Sequence, residues 1–285
     1  MIIVTGATGH VGGELIARLA AEHQPVRAMT RRPEAMQARP GVEVVYGDCD
    51  DPDSLDAAFD GADRAFLMSA QATGGAEGPT HAVRLVRAAR RAGARHVVSL
   101  SVYDGGRSDD AVGLWHREAE AATINSGLDW TLLRPGRFMT NALHWAPMIR
   151  RGDTVHIPFA HRPAAAIDPA DIAAIAAAAL TTDDHHNTAY QLSGPEVLTP
   201  AEELDILAKT LGRPLRLVEP TVDQAMAGML QAGMAQHVVE AIVARVLVGR
   251  DGAEVLPTVA QALGRPPVAF ATWAGNHIGA FLGTD

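Results

Sequence analysis

Three glycines near the amino terminus have a spacing that could hold a phosphorylated ligand. The apolar run Met1 to Val4 leads into the sequence GATGHVG, residues 6–12, and an amphipathic helix is predicted directly after it. Where a buried strand opens into a helix through glycines, backbone amides and the positive end of the helix dipole face an anion. In this setting the motif predicts a site for the pyrophosphate of a dinucleotide.

Each glycine of the motif has its own task. Gly6 permits the tight turn, and Gly9 removes the Cβ that would block the approach of the backbone to phosphate. Gly12 lets the helix and the strand pack closely. The other contacts predicted in this loop and first helical turn are Thr8, His10 and Val11.

The residues after the second predicted strand bear on which dinucleotide is bound. An acidic residue there would bond the ribose hydroxyls and repel a 2′-phosphate, whereas this chain has Thr30, Arg31 and Arg32. A guanidinium offers a planar fork of donors to phosphate oxygens. We therefore predict NADP(H) as the cofactor, with Arg31 as its main phosphate ligand. The alternative is that both arginines are ordinary surface residues after a strand.

Two more predicted strand ends supply candidate contacts. Asp48 and Cys49 follow the third strand, where the adenine would lie, and Asp48 could accept a hydrogen bond from its exocyclic amine. A loop aspartate before a helix, and a small residue near a strand end, fit these two positions as well. Ser69 ends the fourth strand beside a glycine-bearing loop, where the sugar phosphates of the cofactor would pass.

The composition excludes several other classes of function. The chain has 285 residues, a net charge of −9 and no basic run with interleaved aromatic residues, so nucleic acid is not an expected partner. Its single cysteine excludes an internal disulfide and a multi-cysteine metal site, and the histidines form no pattern typical of a metal site. The most apolar stretch, Ile172 to Leu180, is too short to span a bilayer, and no signal-peptide pattern opens the sequence. We expect a soluble cytoplasmic protein.

Strand and helix signals alternate through the first half of the chain. The predicted strands are Met1 to Val4, Val26 to Met29, Val42 to Tyr46, Arg64 to Met68, His96 to Leu100 and Trp130 to Leu133. Such alternation indicates βαβ units, and right-handed crossovers give an α/β fold with a Rossmann-type doubly wound parallel sheet. Residues 1–155 are predicted to form this dinucleotide-binding core, with 165–194 returning to it. Residues 195–285 are predicted to form a smaller, mostly helical lobe that binds substrate.

Several motifs together resemble the NmrA-like group of atypical short-chain dehydrogenases/reductases. They are GATGHVG, the RR after the second strand, GDCDDPDSL (47–55), HREAEAATINSGLDWTLLRPGRFMTN (116–141), DPADIA (168–173) and TWAGNHIGAF (272–281). The resemblance covers nearly the whole chain. This group includes bacterial NAD(P)H:quinone reductases, triphenylmethane reductase and non-catalytic redox-sensing regulators.

The resemblance implies roles for residues that follow the sixth strand. In this group the backbone around the position of Pro135 holds the nicotinamide carboxamide, and the positions of Phe138, Met139 and Asn141 border the substrate pocket. Trp145, a few residues further on, is a candidate for an apolar wall of that pocket. The substrate is expected to be a small molecule bound between the two lobes.

The chain departs from an ordinary short-chain reductase at the catalytic acid. Such enzymes use Tyr-x-x-x-Lys to donate a proton as hydride arrives, but alignment on the SG-x-x-WTLLRP landmark puts Val112 and His116 at those positions. Tyr103 and Arg107 are separated by two glycines and are not expected to share a helix. Ser101, at the end of the fifth strand, falls in the catalytic serine region of the group. His116 could orient the substrate or supply a proton, or it could be a helix residue that faces solvent.

Three hypotheses about function follow. The leading one is an NADPH-dependent oxidoreductase that transfers hydride to a quinone-like or other conjugated, apolar small molecule, because such an acceptor needs less acid from the protein. A non-catalytic protein that senses NADP is the second, and an isomerase or cyclase with a structural cofactor is the third. The oligomeric state stays open, with a homodimer as one outcome.

Overall fold

The chain forms two compact units. The computed structural model describes residues 1–37, 39–68, 78–107, 109–248 and 252–284. The first unit comprises Met1–Pro135 with Pro169–Gln191, and the second comprises Gly136–Asp168 with Leu192–Asp285. In the described part of the chain, no helix is long and apolar enough to cross a membrane.

A seven-stranded sheet is the centre of the first unit. The strands of the protein are β1 (Ile2–Val4), β2 (Val26–Thr30), β3 (Val42–Tyr46), β4 (Arg64–Leu67), β5 (His96–Leu100), β6 (Asp129–Pro135), β7 (Thr154–His156), β8 (Thr188–Leu192) and β9 (Arg216–Val218). The order in the large sheet is β3-β2-β1-β4-β5-β6-β8, and the neighbours from β3 to β6 pair in parallel. The strand order reverses between β1 and β4, and in such sheets the ligand lies beyond the carboxyl ends at that point. The predicted Rossmann-type fold is confirmed.

Helices cover this sheet and build most of the second unit. They are α1 (His10–Ala21), α2 (Pro52–Phe59), α3 (Thr80–Arg91), α4 (Ala111–Ile124), α5 (Ala146–Arg151), α6 (Pro169–Thr181), α7 (Pro200–Leu211), α8 (Val222–Gln231), α9 (Gln236–Val248), α10 (Thr258–Leu263), α11 (Phe270–Asn276) and α12 (Ile278–Leu282). The helix starts follow local chemistry. The Asp51 carboxylate accepts a hydrogen bond from the Ser54 amide at the start of α2, and Thr199 forms a reciprocal capping box with Glu202 at the start of α7.

The second unit has a core of its own. Strands β7 and β9 pair in parallel, and Trp273 is fully buried in a cluster that also contains Phe270 and Phe281. Residues 136–155, which the sequence places in the dinucleotide-binding core, group with this unit in the structure. The physical reason is that Met139 and Trp145 are buried in the same cluster as Trp273.

Candidate functional site

The turn from β1 to α1 requires glycine at positions 6 and 12. Gly6 has a positive φ of 63°, and the Gly9 amide donates to the Gly6 carbonyl oxygen at 2.9 Å. A Cβ on Gly12 would lie 2.3 Å from that same oxygen, so helix α1 approaches the turn more closely than any side chain allows. Gly9 caps the helix without a side-chain hydrogen bond, and amides of the first helical turn, which have no intrahelical acceptor, are therefore available to an anion.

A cavity of about 140 Å³, here called the arginine cavity, lies beside this turn. It brings together five of the predicted cofactor contacts, namely Gly6, Thr8, Arg31, Asp48 and Cys49. Gly9, His10, Val11 and Gly12 do not line it, since they form the turn and the first turn of α1. The lining also includes Arg32 and three residues that the sequence reasoning missed, Met29, Met68 and His81. His81 lies at the start of α3, which follows the fourth strand. Its position near the carboxyl edge of the sheet could have identified it as a cofactor contact.

The charges around the arginine cavity suit a phosphorylated ligand. Arg31 and Arg32 are exposed where β2 ends and line the cavity, and Asp48, after the neighbouring strand β3, lines it as well. The Asp48 carboxylate accepts a hydrogen bond from the Asp50 amide at 3.0 Å, so it holds the loop in shape in addition to facing the cavity. The glycine turn and the two guanidinium groups therefore fit a dinucleotide that carries a further phosphate.

Cys49 contributes shape and no reactive thiolate. Burial, together with the nearby carboxylates of Asp48 and Asp50, raises the pKa of its thiol to about 11. The thiol therefore stays protonated at neutral pH, and the residue packs as a small apolar group.

A second cavity of about 150 Å³, here called the serine cavity, brings the two predicted catalytic residues together. Ser101 and His116 both line it, where β5 ends and α4 passes. The Ser101 hydroxyl donates to Glu120 Oε1 at 2.5 Å, and Arg134 binds both oxygens of this buried carboxylate at 2.9 and 2.7 Å. The ion pair thus fixes the direction in which the serine hydroxyl points.

Glu120 and Arg134 were not singled out from the sequence, although signals for both exist. Glu120 lies four residues after His116, on the same face of α4, and Arg134 is a charged residue within a mostly buried strand. His116 is half-buried, and its ring lies edge-on to that of Trp115 with 5.0 Å between centroids. Its ring thus lies partly at the cavity and partly toward solvent, and its role stays a prediction.

Met68 connects the two cavities, because it lines both. The Thr5 hydroxyl donates to the Met68 carbonyl oxygen and accepts from its amide, each at 2.8 Å, and a Cβ on Gly6 would lie 2.7 Å from the Met68 sulfur. The cavities thus follow one another along the carboxyl ends of the strands, from Arg31 to His116. An extended ligand such as a dinucleotide matches that arrangement.

The remaining predicted positions in the first unit have less defined surroundings. Pro135 ends β6, is buried and lines neither cavity. Ser69 lies outside the described residues, as do residues 70–77. Tyr103 and Arg107 are separated by three residues with positive φ, 104–106, so no regular helix presents them on one face.

The second unit contains a cavity of about 430 Å³, here called the aromatic cavity. Asn141 and Trp145, which the sequence predicts at the substrate, both line it. Phe138, also predicted there, does not line it. Its backbone instead forms an isolated parallel β-bridge with Ile167. Residues from several separate segments complete the walls, among them Met148, Phe159, Arg162 and Met229.

Comparison with known proteins identifies the family. Residues 6–183 match the model of a family described as NAD(P)H-binding. The chain belongs to this NAD(P)H-binding family. The predicted cofactor class is therefore confirmed.

Two similar proteins that match along nearly the whole chain are named as reductases. The chain is 42% identical to the (4-alkanoyl-5-oxo-2,5-dihydrofuran-3-yl)methyl phosphate reductase of Streptomyces griseus, over 99% of each chain. It is 34% identical to the NAD(P)H azoreductase of Xenophilus azovorans, again over 99% of each. The family member thus stands among NAD(P)H-dependent oxidoreductases.

Solved structures agree on the fold. An NADPH-dependent quinone oxidoreductase from Escherichia coli, crystallised with NADPH, superposes with a TM-score of 0.81 at 24% identity and covers 98% of this chain and 100% of its own. The triphenylmethane reductase of a Citrobacter species, complexed with NADP(H), gives a TM-score of 0.78 at 22% identity over 96% and 99%. The resemblance to quinone reductases and triphenylmethane reductase is confirmed for the fold.

Proposed function

We propose that the protein is an NADPH-dependent reductase of a small molecule whose double bond is conjugated with an electron-withdrawing group. The observation that carries the proposal is the similarity, over 99% of the chain, to one reductase whose named substrate has such a bond and to an azoreductase. The compound named for the first has a ring double bond conjugated with a ring carbonyl and an alkanoyl group, and the second reduces an azo bond. Quinones, the acceptors first suggested by the sequence, share this electron-poor character.

The residues of the first unit have distinct tasks in holding the cofactor. The amides at the start of α1 would bind the pyrophosphate, and Arg31 with Arg32 would bind the 2′-phosphate. When bound, NADPH supplies a hydride, which brings two electrons to the acceptor. The preference for NADPH over NADH follows from the two guanidinium groups at the end of β2, where this chain has arginines in place of the acidic residue that would bond the ribose hydroxyls.

Ser101 and His116 would act at the opposite end of the row of cavities. Because the Ser101 proton is donated to Glu120, the serine oxygen can only accept hydrogen bonds from a ligand in the serine cavity. It therefore suits a positioning task and not proton donation. His116 supplies an imidazole to the described lining of this cavity, and a histidine is the side chain that most often donates a proton in catalysis.

The absence of a Tyr-x-x-x-Lys pair is consistent with this reaction. A conjugated acceptor takes up the negative charge on an oxygen or a nitrogen, where water or His116 can deliver the proton. A simple ketone needs a stronger acid held at its oxygen. The protein is therefore expected to reduce conjugated acceptors and to leave unconjugated ketones unchanged.

The experiment is a measurement of NADPH consumption with a panel of acceptors. A 4-alkanoyl butenolide phosphate, menadione and an azo dye represent the conjugated class, and cyclohexanone is the matched unconjugated control. We expect steady turnover with at least one conjugated acceptor and none with cyclohexanone. Tight NADPH binding without turnover of any acceptor would contradict the proposal.

That contrary result would favour a second candidate, a protein that senses NADP(H) without chemistry. The observation in its favour is the same missing Tyr-x-x-x-Lys pair, with Val112 and His116 in its place. Reduction of any acceptor at a steady rate would exclude it.

A further inference from the structure

The aromatic cavity of the second unit combines apolar walls with positive charge. Trp145, Met148 and Phe159 supply apolar surface, whereas Arg137 and Arg162 supply guanidinium groups. Its described lining also contains the imidazoles His144 and His156 and includes no carboxylate. In a chain of net charge −9, this concentration of cationic and donor groups is a local feature that calls for an anionic ligand.

The two arginines are not equivalent. Arg137 forms a bidentate ion pair with Glu203, with nitrogen to oxygen distances of 3.0 and 2.5 Å, and Glu203 is only 2% exposed. The guanidinium of Arg137 is therefore already engaged by Glu203 through two of its nitrogens. The Arg162 guanidinium has no carboxylate partner among the described residues, and its side chain is exposed at the cavity. Arg162 is thus the arginine whose charge is available to a ligand.

A constrained turn places Arg162 at the cavity. Phe159 has a positive φ of 56°, which is unusual for a bulky side chain, and the Arg162 amide donates to its carbonyl oxygen at 3.1 Å. The turn is held from both sides, since the Ala160 amide donates to Glu219 Oε1 and the Ala160 carbonyl oxygen accepts from the Ala201 amide, each at 2.9 Å. This arrangement positions an aromatic ring and a guanidinium on one wall.

We propose that the aromatic cavity binds a phosphate monoester with an apolar body, and that Arg162 is the residue that selects the phosphate. A guanidinium presents two parallel donors to phosphate oxygens, and neutral imidazoles can donate further hydrogen bonds. A phosphate monoester carries close to two negative charges at neutral pH, which matches more than one donor group. The volume of about 430 Å³ lies in the range of small-molecule sites. The inference rests on the proposed function only in taking this ligand to be the substrate.

The test is a calorimetric titration of the full-length protein saturated with NADP(H), so that the probe does not occupy the arginine cavity. The probes are 1-naphthyl phosphate, 1-naphthoate and 1-naphthol, which share one apolar body and differ in the anionic group. We expect the phosphate to bind about 10- to 100-fold more tightly than naphthol, the range typical of hydrogen bonds to a charged group. Naphthoate is expected to bind more weakly than the phosphate.

Variants of Arg162 test the assignment of the selecting residue. Arg162→Ala should lower the affinity for naphthyl phosphate toward that of naphthol, whereas Arg162→Lys, which keeps the charge but loses the fork, should give an intermediate preference. Arg151→Ala is the matched control, because it removes the same charge from an exposed residue of the second unit that does not line the cavity. It should retain the full preference.

Three results would overturn the inference. These are equal affinities of the wild type for phosphate and naphthol, affinity for naphthoate as high as for the phosphate, or an undiminished preference in Arg162→Ala. Turnover of menadione by the wild type is the separate readout of the proposed function. Turnover without a phosphate preference refutes only the inference, and a phosphate preference without turnover of any acceptor refutes only the proposed function.

Discussion

The two units contain cavities of opposite construction. The arginine cavity of the first unit lies beside backbone, at a turn where Gly6 and Gly12 leave no room for a Cβ. The aromatic cavity of the second unit is about three times larger, 430 against 140 Å³, and is walled by side chains such as Trp145 and Phe159. A site made of backbone amides binds a group that many ligands share, such as a phosphate. A site walled by side chains can change its ligand specificity when those side chains are substituted.

The largest expected effect comes from the buried ion pairs, one in each unit. Arg134→Met leaves Glu120 buried without its cation. Burial already raises the pKa of Glu203 to about 7, so after Arg137→Met this carboxyl can take up a proton, and a smaller loss is expected there. Removal of one partner from a buried pair typically costs about 3–5 kcal/mol of unfolding free energy. Urea unfolding checks this.

The matched control for this prediction is the pair of Arg91 and Asp56, which is about half exposed. Arg91→Met is expected to change the unfolding free energy by about 1 kcal/mol or less, because solvent screens such pairs. A loss in Arg134→Met no greater than in Arg91→Met would contradict the account of Ser101 orientation by a buried ion pair.

The next effect separates the roles of two crowded glycines. A Cβ on Gly12 would lie 2.3 Å from the Gly6 oxygen, and one on Gly194 in the second unit would lie 1.8 Å from the Ala166 oxygen. In both alanine variants the free energy of unfolding is expected to fall by about 1–3 kcal/mol, as it does when extra atoms are forced into a packed site. Only Gly12→Ala should also weaken NADPH binding to the folded protein, as measured by fluorescence titration.

Gly13→Ala is the control within the same helix. Its Cβ would lie 3.9 Å from the Ala7 oxygen, an ordinary van der Waals distance, so alanine fits without displacement. We expect a gain of about 0.5–1 kcal/mol from the helix preference of alanine, with NADPH affinity unchanged. An unaltered NADPH affinity in the Gly12→Ala variant would refute the site made of backbone amides.

A smaller effect concerns the choice of cofactor. Arg31→Ala should weaken NADPH binding by about 10- to 100-fold, because a charge-assisted contact to the 2′-phosphate is lost. NADH lacks that phosphate, so its affinity serves as the internal control and should stay the same. Calorimetry that finds equal affinities of the wild type for both cofactors would contradict this assignment.

The smallest effect is a pH dependence that differs in sign between the units. Burial lowers the pKa of His96 in the first unit from 6.5 to about 4, and burial raises the pKa of Glu203 in the second from 4.5 to about 7. Between the unfolded pKa of 6.5 and the folded pKa of about 4, the unfolded chain binds a proton at His96 more tightly than the folded protein does. The stability that the neutral His96 contributes is therefore lost as the pH falls through this range. The folded protein binds the proton of Glu203 more tightly, so its contribution is lost as the pH rises.

Variants separate these two contributions. Glu203→Gln should make the unfolding free energy rise more steeply between pH 4.5 and 7 than in the wild type. His96→Gln should make it rise less steeply or fall over pH 4 to 6.5. Urea unfolding across this range checks both slopes, and identical slopes in all three proteins would show that neither burial perturbs titration.

Local chemistry explains what could be predicted from the sequence. The strand-to-helix turn at Gly6 and the capping box at Thr199 involve residues within six positions of each other, so their spacing carries the geometry. Arg31 and Asp48 were predicted to lie near each other because the carboxyl ends of parallel strands meet at one edge, and both line the arginine cavity. That rule depends on topology and not on side-chain packing.

Packing across the chain explains what could not be predicted. Glu120 reaches Arg134 from a helix to a strand, and no periodicity identifies such a partner. The aromatic cavity combines residues as distant in sequence as Asn141, Arg162 and Met229, so neither its volume nor its charge is a property of any single segment. Residues 136–155, the last part of the first predicted domain, belong to the second unit because Trp145 packs in the same buried cluster as Trp273. Such long-range packing also could not be read from the sequence.

The central claim is that the protein transfers hydride from NADPH to a conjugated acceptor. Its most direct test uses NADPH that carries deuterium at the transferring position of the nicotinamide, with a 4-alkanoyl butenolide phosphate or menadione as acceptor. With the butenolide, one deuterium is expected in the reduced product for each NADPH consumed, because the carbon that receives the hydride does not exchange its hydrogen with water. With menadione, deuterium that reaches an exchangeable position is lost to water, so formation of the reduced product is measured. Retention of the deuterium in the nucleotide, with no reduced product formed, would contradict the central claim.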